Sequence, residues 1–325
     1  MGGLKQTVVH AEKINHAIQS NEMAMSALVA SWQRSLSLHH LDPTNRRPPQ
    51  RLTELELRIA RQRIEPLIEI AKSSLDRLYL AVGAVGCCVL LADKYGVPVE
   101  RRGATGDDKT FHDWGLWPGS IWSEESEGTN AIGTCLVEHK LITIHRDQHF
   151  FSRNTLLSCV TAPIHDHEGK LLAALDVSSC RADLTEGYLK LIATTVSDAA
   201  RCIETEYFRK AFPKARILFA PTTQNAASAL LAVDQDDLVI GASRSARIAL
   251  GLTQTSFKTP LPAADILGGE KTGRDNFSDA ERSVVQRAMI RANGKVAVAA
   301  RELGISRATL HRKLARLGLR SADSN

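Results

Sequence analysis

Lys295-Val296-Ala297-Val298-Ala299-Ala300-Arg301-Glu302-Leu303-Gly304-Ile305-Ser306-Arg307-Ala308-Thr309-Leu310-His311-Arg312-Lys313-Leu314 is the stretch on which the reading of this 325-residue chain turns. Val296, Ala299, Ala300 and Leu303 recur at helical spacing, and Gly304 interrupts them. Ser306 then has the chemistry of a helix cap. Beyond it Ile305, Leu310, Leu314 and Leu317 turn inward, while Arg307, Thr309, His311, Arg312, Lys313 and Arg316 stay outside until Gly318. Helix, glycine turn, helix is the geometry that projects the second helix of a pair into a DNA major groove. Immediately upstream, Ser278-Asp279-Ala280-Glu281 reads as a capping box. It opens a helix whose Val284, Val285, Ala288, Met289 and Ala292 share a side, and Asn293-Gly294 provides a left-handed stop.

Charge singles out the same region. Residues 274–325 hold 11 of the 41 Lys+Arg and 5 of the 36 Asp+Glu, a net of +6, against −1 for everything before them. Cations confined to one terminus and interleaved with apolar residues suit a folded module for a phosphate backbone. At 43% hydrophobic and 24% charged, the chain can bury real cores and excludes a disordered or collagen-like polymer. The longest uncharged apolar run, Leu78 to Ala92, is short of a bilayer crossing and contains two glycines. No secretion signal is visible at the N-terminus, so the expected location is the cytoplasm, with no membrane partner. Six cysteines, only Cys87 and Cys88 adjacent and none spaced for zinc, suggest reduced buried thiols.

Residues 25–50 start helically with Met25, Leu28, Val29 and Trp32, then break at Leu41-Asp42-Pro43 and Arg46-Arg47-Pro48-Pro49, as a linker would. Leu52 to Leu80 reads as one long helix. Val82 to Ala92, Asp93-Lys94-Tyr95-Gly96 and Val97-Pro98-Val99-Glu100 read as strand, turn, strand. Leu141 to Ile144 is another strand. Cys159 to Ile164 and Leu171 to Ser178 make a hairpin-like pair, and Gly187 to Phe208 a closing helix. Hairpin-connected strands with helices at both ends predict an α+β fold, an antiparallel sheet with flanking helices, and not a dinucleotide-binding domain.

Two resemblances attach to these residues. Gly304, the start Ser306-Arg307-x-Thr309-Leu310 and the basic run after it resemble the Fis-type helix-turn-helix that also closes bacterial enhancer-binding activators. That likeness implies double-stranded DNA as partner, with Ser306, Arg307, Thr309, His311, Arg312 and Lys313 facing it. Arg307 would read guanine edges; Arg312 and Lys313 would hold phosphates. It also implies a homodimer through the helix Ala280 to Ala292. The front half resembles the GAF sensor domain of acetoin-catabolism regulators. The matching blocks are Ser31-Trp32-Gln33-Arg34-Ser35 with Leu41-Asp42-Pro43; Trp122-Ser123-Glu124 with Gly128 to Thr134; and His149-Phe150 with Cys159 to Ile164. It implies a small-molecule effector, with Trp122, Glu124, Thr129, Asn130, His149 and Cys159 as candidate ligand-binding residues. Thr129 and Asn130 serve either a ligand or the domain's own loop. Trp114, Trp117 and Trp122 form either an aromatic lid or ordinary packing.

Between these regions, Arg216 to Phe219, Ala229 to Asp234 and Leu238 to Ser243, with the helical Arg244 to Leu250, suggest a small PAS-like connector. The expected domains are thus an N-terminal helical segment and linker (1–50), a GAF-like sensor (51–210), the connector (211–272) and an all-α Fis-type helix-turn-helix (273–325). Related activators carry an ATPase between sensor and DNA-binding module, but the chain has no G-x-x-x-x-G-K-[ST]. No nucleophile elbow, metal-ligand spacing or dinucleotide fingerprint is visible either, so neither enzyme activity nor a cofactor or metal is expected. The sequence therefore predicts a ligand-responsive DNA-binding transcription regulator, with RNA polymerase as a further partner. The alternatives are a GAF-type binding protein or redox enzyme whose basic tail is incidental, which would need the Cys87-Cys88 pair, and an architectural DNA-bending protein with an inert sensor.

Overall fold

The computed structural model describes residues 2–19, 26–220, 229–258, 261–267 and 277–319. They fall into two compact units, Met1–Ile266 and Leu267–Asn325. Among the described residues no helix is long and apolar enough to cross a membrane.

The first unit opens with helices α1 (Gly2–Gln19), α2 (Ala27–Gln33), α3 (Glu54–Arg63) and α4 (Glu65–Val82), α2 passing into a π-turn at Arg34–Leu38. Strands β1 (Cys87–Asp93) and β2 (Pro98–Arg102) follow. Three short helices come next, α5 (Asp108–Asp113), α6 (Glu124–Glu127) and α7 (Ala131–Glu138). Then come β3 (Ile142–His145), β4 (Ser158–His165), β5 (Leu171–Ser179) and the long α8 (Glu186–Ala211). A smaller set completes the unit: β6 (Arg216–Phe219), β7 (Leu230–Val233), β8 (Val239–Ala242), α9 (Arg244–Leu250) and α10 (Ala263–Ile266).

The five-stranded sheet has the order β2-β1-β5-β4-β3, with every pairing antiparallel. This is the α+β architecture that hairpin-connected strands with helices at both ends predict. One face carries Val89, Leu91, Val160, Leu175 and Val177 under α4 and α8, an apolar layer that includes Leu67, Leu75, Ile192 and Ile203. The other face carries Leu90, Cys88, Cys159 and Ala174 under α7, Phe111, Leu116 and Trp122. Strands β6, β7 and β8 form a separate antiparallel sheet.

Three expectations are corrected. The helix predicted over Leu52 to Leu80 is two helices. Thr53 and Glu56 make a reciprocal capping box at the start of α3, Ile64 leaves helical geometry at φ −122°, and Pro66 sits in the first turn of α4, where its missing N–H costs nothing. The strand predicted from Val82 begins at Cys87 instead, because α4 continues to Val82 and Gly86 turns the chain at φ +73°. An unbroken apolar run does not distinguish helix from strand. Residues 41–50, read as a linker, are tied to the sheet domain: Pro43 O accepts from Ser152 N at 2.9 Å and Gln50 O from Ile121 N at 2.8 Å.

The second unit is three helices, α11 (Phe277–Arg291), α12 (Val296–Glu302) and α13 (Arg307–Arg316), around Val285, Ala288, Val296, Ala299, Ala300, Leu310 and Leu314. Asn293 and Gly294 both take positive φ after α11, as does Gly304 between α12 and α13. Helix α11 starts at Phe277, so Ser278 lies inside it, and the Ser278 side chain is outside the described residues. Glu281, the other half of the expected capping box, instead reaches α13.

Candidate ligand site and nucleic-acid interface

Two of the six residues singled out for ligand binding, Glu124 and Thr129, belong to a buried lattice that fastens α2 to the sheet domain. Ser31 Oγ lies 2.7 Å from Glu124 Oε2, 2.8 Å from Thr129 Oγ1 and 3.0 Å from Thr134 Oγ1. Arg34 donates through Nε and Nη2 to the two oxygens of the buried Glu124, at 2.5 and 3.1 Å, and that hydrogen bonding holds its pKa above the usual arginine value. Asn130 caps α7, accepting from Gly133 N at 2.8 Å and donating to Gly128 O at 2.9 Å. Trp122 is buried and donates its Nε1–H to Gly115 O at 2.7 Å. The glycines serve the same construction: a Cβ on Gly128, at φ +59°, would strike the Phe150 ring, and one on Gly133 would strike Glu124 N. Glu124 and Thr129 are thus satisfied by Ser31 and Arg34, and Asn130 by the backbone, as buried polar groups must be.

His149 and Cys159, the last two of the six, do meet. His149 is completely buried, its Nδ1–H donates to Arg146 O at 2.9 Å, and burial pushes its pKa down to about 4. The neutral ring then leaves Nε2 as an acceptor 3.7 Å from Cys159 Sγ. Burial pushes the Cys159, Cys88 and Cys135 thiols up, so all three stay protonated. The adjacent Cys87 packs into the opposite face of the sheet, and burial pushes its thiol up to about 11. The paired reactive thiols that a redox enzyme needs are therefore not formed by Cys87-Cys88.

Around Cys159 the structure assembles polar groups that sequence reasoning missed. Asp176 is completely buried on β5, accepting from Thr161 Oγ1 and Ser178 Oγ at 2.6 Å each; burial pushes its carboxyl up to about 6. Arg101 on β2 lies opposite Leu90, and Leu90 opposite Asp176, so both charges look to the face that holds Cys88 and Cys159. Arg101 pairs through Nη1 with Asp108 at 2.6 Å and lies against the rings of Trp117 and Phe111. Of the three tryptophans, Trp117 thus covers a cation, while Trp114 packs at the margin of the apolar layer. Asp176 did leave a signal, a lone acid in an otherwise uncharged strand. Arg101 left none, because the bulge between Leu91 and Ala92 decides which of Glu100, Arg101 and Arg102 turns inward.

In the second unit, Ser306 caps α13, its Oγ accepting from Thr309 N at 3.1 Å. Leu310 and Leu314 anchor the buried side. Ser306, Arg307, His311 and Arg312 are exposed, and Thr309 is half-buried against the cap. Lys313 differs from the expectation of a free phosphate ligand: together with Arg316 it is ion-paired to Glu281 of α11. That pairing holds the Glu281 carboxyl below its usual range.

Comparison with known proteins fits both halves. Residues 66–203 match the GAF domain, and residues 277–317 match the bacterial regulatory proteins of the Fis family. The chain is 32% identical over 239 residues to the acetoin catabolism regulatory protein of Cupriavidus necator, covering 72% of this chain and 36% of that protein. It is 29% identical over 206 residues to the acetoin dehydrogenase operon transcriptional activator of Bacillus subtilis, covering 62% of this chain and 33% of the relative. It thus spans about a third of the length of these relatives. A chain of the E. coli DhaR(N)–DhaL complex superimposes with a TM-score of 0.51 at 15% identity over 71% of this chain and 78% of that one, a likeness of fold alone. The protein therefore joins a GAF domain to a Fis-family helix-turn-helix in one chain.

Proposed function

We propose that the protein is a DNA-binding transcription regulator whose GAF domain senses a small-molecule effector. The observation that carries this reading is α13. Its Ser306 cap, the glycine turn before it and its exposed Arg307, His311 and Arg312 make a helix built to lie against base edges and phosphates. The two named relatives, both described as regulators of acetoin functions, support a metabolite as the signal. Phe277 and Val284, one heptad apart on α11, are 83% and 45% exposed, which supports pairing of two copies through that helix and a two-fold related DNA site. A metabolite then acts by binding one arrangement of the dimer more tightly than another. RNA polymerase is the further partner such a regulator addresses from the cytoplasm.

The test is selection of duplexes from a random pool by the full chain, followed by binding of the selected site with and without candidate metabolites. Arg307→Ala is expected to cost about 1–3 kcal/mol on the selected site and to relax base preference at one position per half-site. Equal affinity for the selected duplex and random competitor would end this reading.

A further inference from the structure

Two arginines of this protein grip a carboxylate with the same edge. Arg34 uses Nε and Nη2 on Glu124, and Arg181 uses the same two atoms on Asp183 at 2.8 and 2.6 Å. Arg101 presents that edge in a different setting. Its side chain is 9% exposed and its Nη1 is committed to Asp108, yet its Nε and Nη2 are buried and meet no hydrogen-bond acceptor among the described residues. A buried guanidinium edge without acceptors is costly, and it calls for a partner. Along the same row of the sheet, Arg101, Leu90, Asp176 and Thr161 stand opposite one another on successive strands. At the usual strand spacing this sets the Arg101 and Asp176 Cα atoms about 10 Å apart. Among the described residues Asp176 forms no ion pair. Each of its oxygens takes one hydroxyl and retains acceptor capacity.

We propose that this row binds a short hydroxy acid, its carboxylate held by Arg101 Nε and Nη2 and its hydroxyl donated to Asp176. The fork geometry selects a planar carboxylate, as it does at Glu124 and Asp183. Trp117 and Phe111, which lie over the guanidinium, shield that contact from water. The inference rests on the sensing role proposed above and gives its effector a chemistry.

The experiment is calorimetric titration of the full chain with lactate, 3-hydroxybutyrate, propionate and 3-hydroxybutan-2-one. The last replaces the carboxylate of lactate by a methyl ketone. At least one hydroxy acid is expected to bind, and the neutral ketone to bind at least about tenfold more weakly, the scale of losing a charged hydrogen-bonded pair. Arg101→Gln is expected to lose the same factor, and Arg101→Lys, which keeps the charge without the fork, most of it. Asp176→Asn removes the preference for a hydroxy acid over propionate; its measurement keeps the test decisive if the Arg101 variants fail to fold. Binding of the ketone in preference to the acids, acid binding untouched by these substitutions, or no binding by any acid would each overturn the proposal. If the ketone alone alters DNA affinity, sensing survives and the hydroxy-acid assignment falls; if no metabolite alters DNA affinity, it is the sensing role that fails.

Discussion

The two faces of the five-stranded sheet are built on opposite terms. Under α4 and α8 the strands offer Val89, Leu91, Val160, Leu175 and Val177, with small serines such as Ser179 at the margin and no charged side chain among these strand residues. Under α7 the same strands offer Cys88, Cys159, Thr161, Asp176 and, at the edge, Arg101. The first face is what a domain needs to stay folded. The second gives up stability for polar groups held in a low-dielectric setting, and it is the face on which the proposed effector site lies.

That contrast can be broken by substitution. The largest expected effect is on the apolar face: Leu75→Ala or Ile203→Ala should cost about 2–5 kcal/mol in denaturant unfolding, because close-packed helices leave a cavity that cannot collapse. A loss under about 1 kcal/mol would mean that this face is not the structural one. On the other face Asp176→Asn should move stability the opposite way. The Asp176 pKa lies above its unfolded value, so its contribution is complete below about pH 4 and is lost as pH rises through about 6. The variant should therefore match the parent at pH 4 and exceed it by up to about 3 kcal/mol at pH 7. His149 runs in the reverse sense: its lowered pKa contributes stability above about 6.5 that is lost as pH falls through about 4. The two groups offset one another across that window, so Asp176→Asn should also unmask a rise of stability with pH that the parent lacks.

The smallest effect concerns the second unit. Glu281→Gln frees Lys313 and Arg316, with little change in stability for such solvent-screened pairs. Its slope of log affinity against log salt should steepen by about 1 to 2 as two more cations reach phosphates. An unchanged slope would show that both already engage DNA in the parent. Arg307→Ala should leave that slope almost intact while relaxing specificity.

Legibility in the sequence follows the same division. The helix-turn-helix was readable to within a residue or two because every signal in it is local: a cap, two glycine turns and a leucine spacing within about three turns. The antiparallel sheet was readable from short apolar runs joined by turn residues. What escaped were facts that depend on register across distant strands. The inward turn of Arg101 is set by a bulge opposite Ala92, and Glu281 is claimed by cations more than thirty positions away. Glu124 and Asn130 were conspicuous as a motif, yet their chemistry is spent on Arg34 and on the cap of α7.

Helix α8, at 26 residues, is a rod of about 39 Å. Its near end packs Leu189, Ile192 and Val196 into the apolar layer of the large sheet, and its last turns place Phe208 in the core of the small one. A stiff rod amplifies: a tilt of 5° at one end sweeps the other through about 3 Å at this length. Ala200 and Ile203 lie in the same apolar layer, so one rigid element ties the large sheet to the place where the β6–β8 sheet begins.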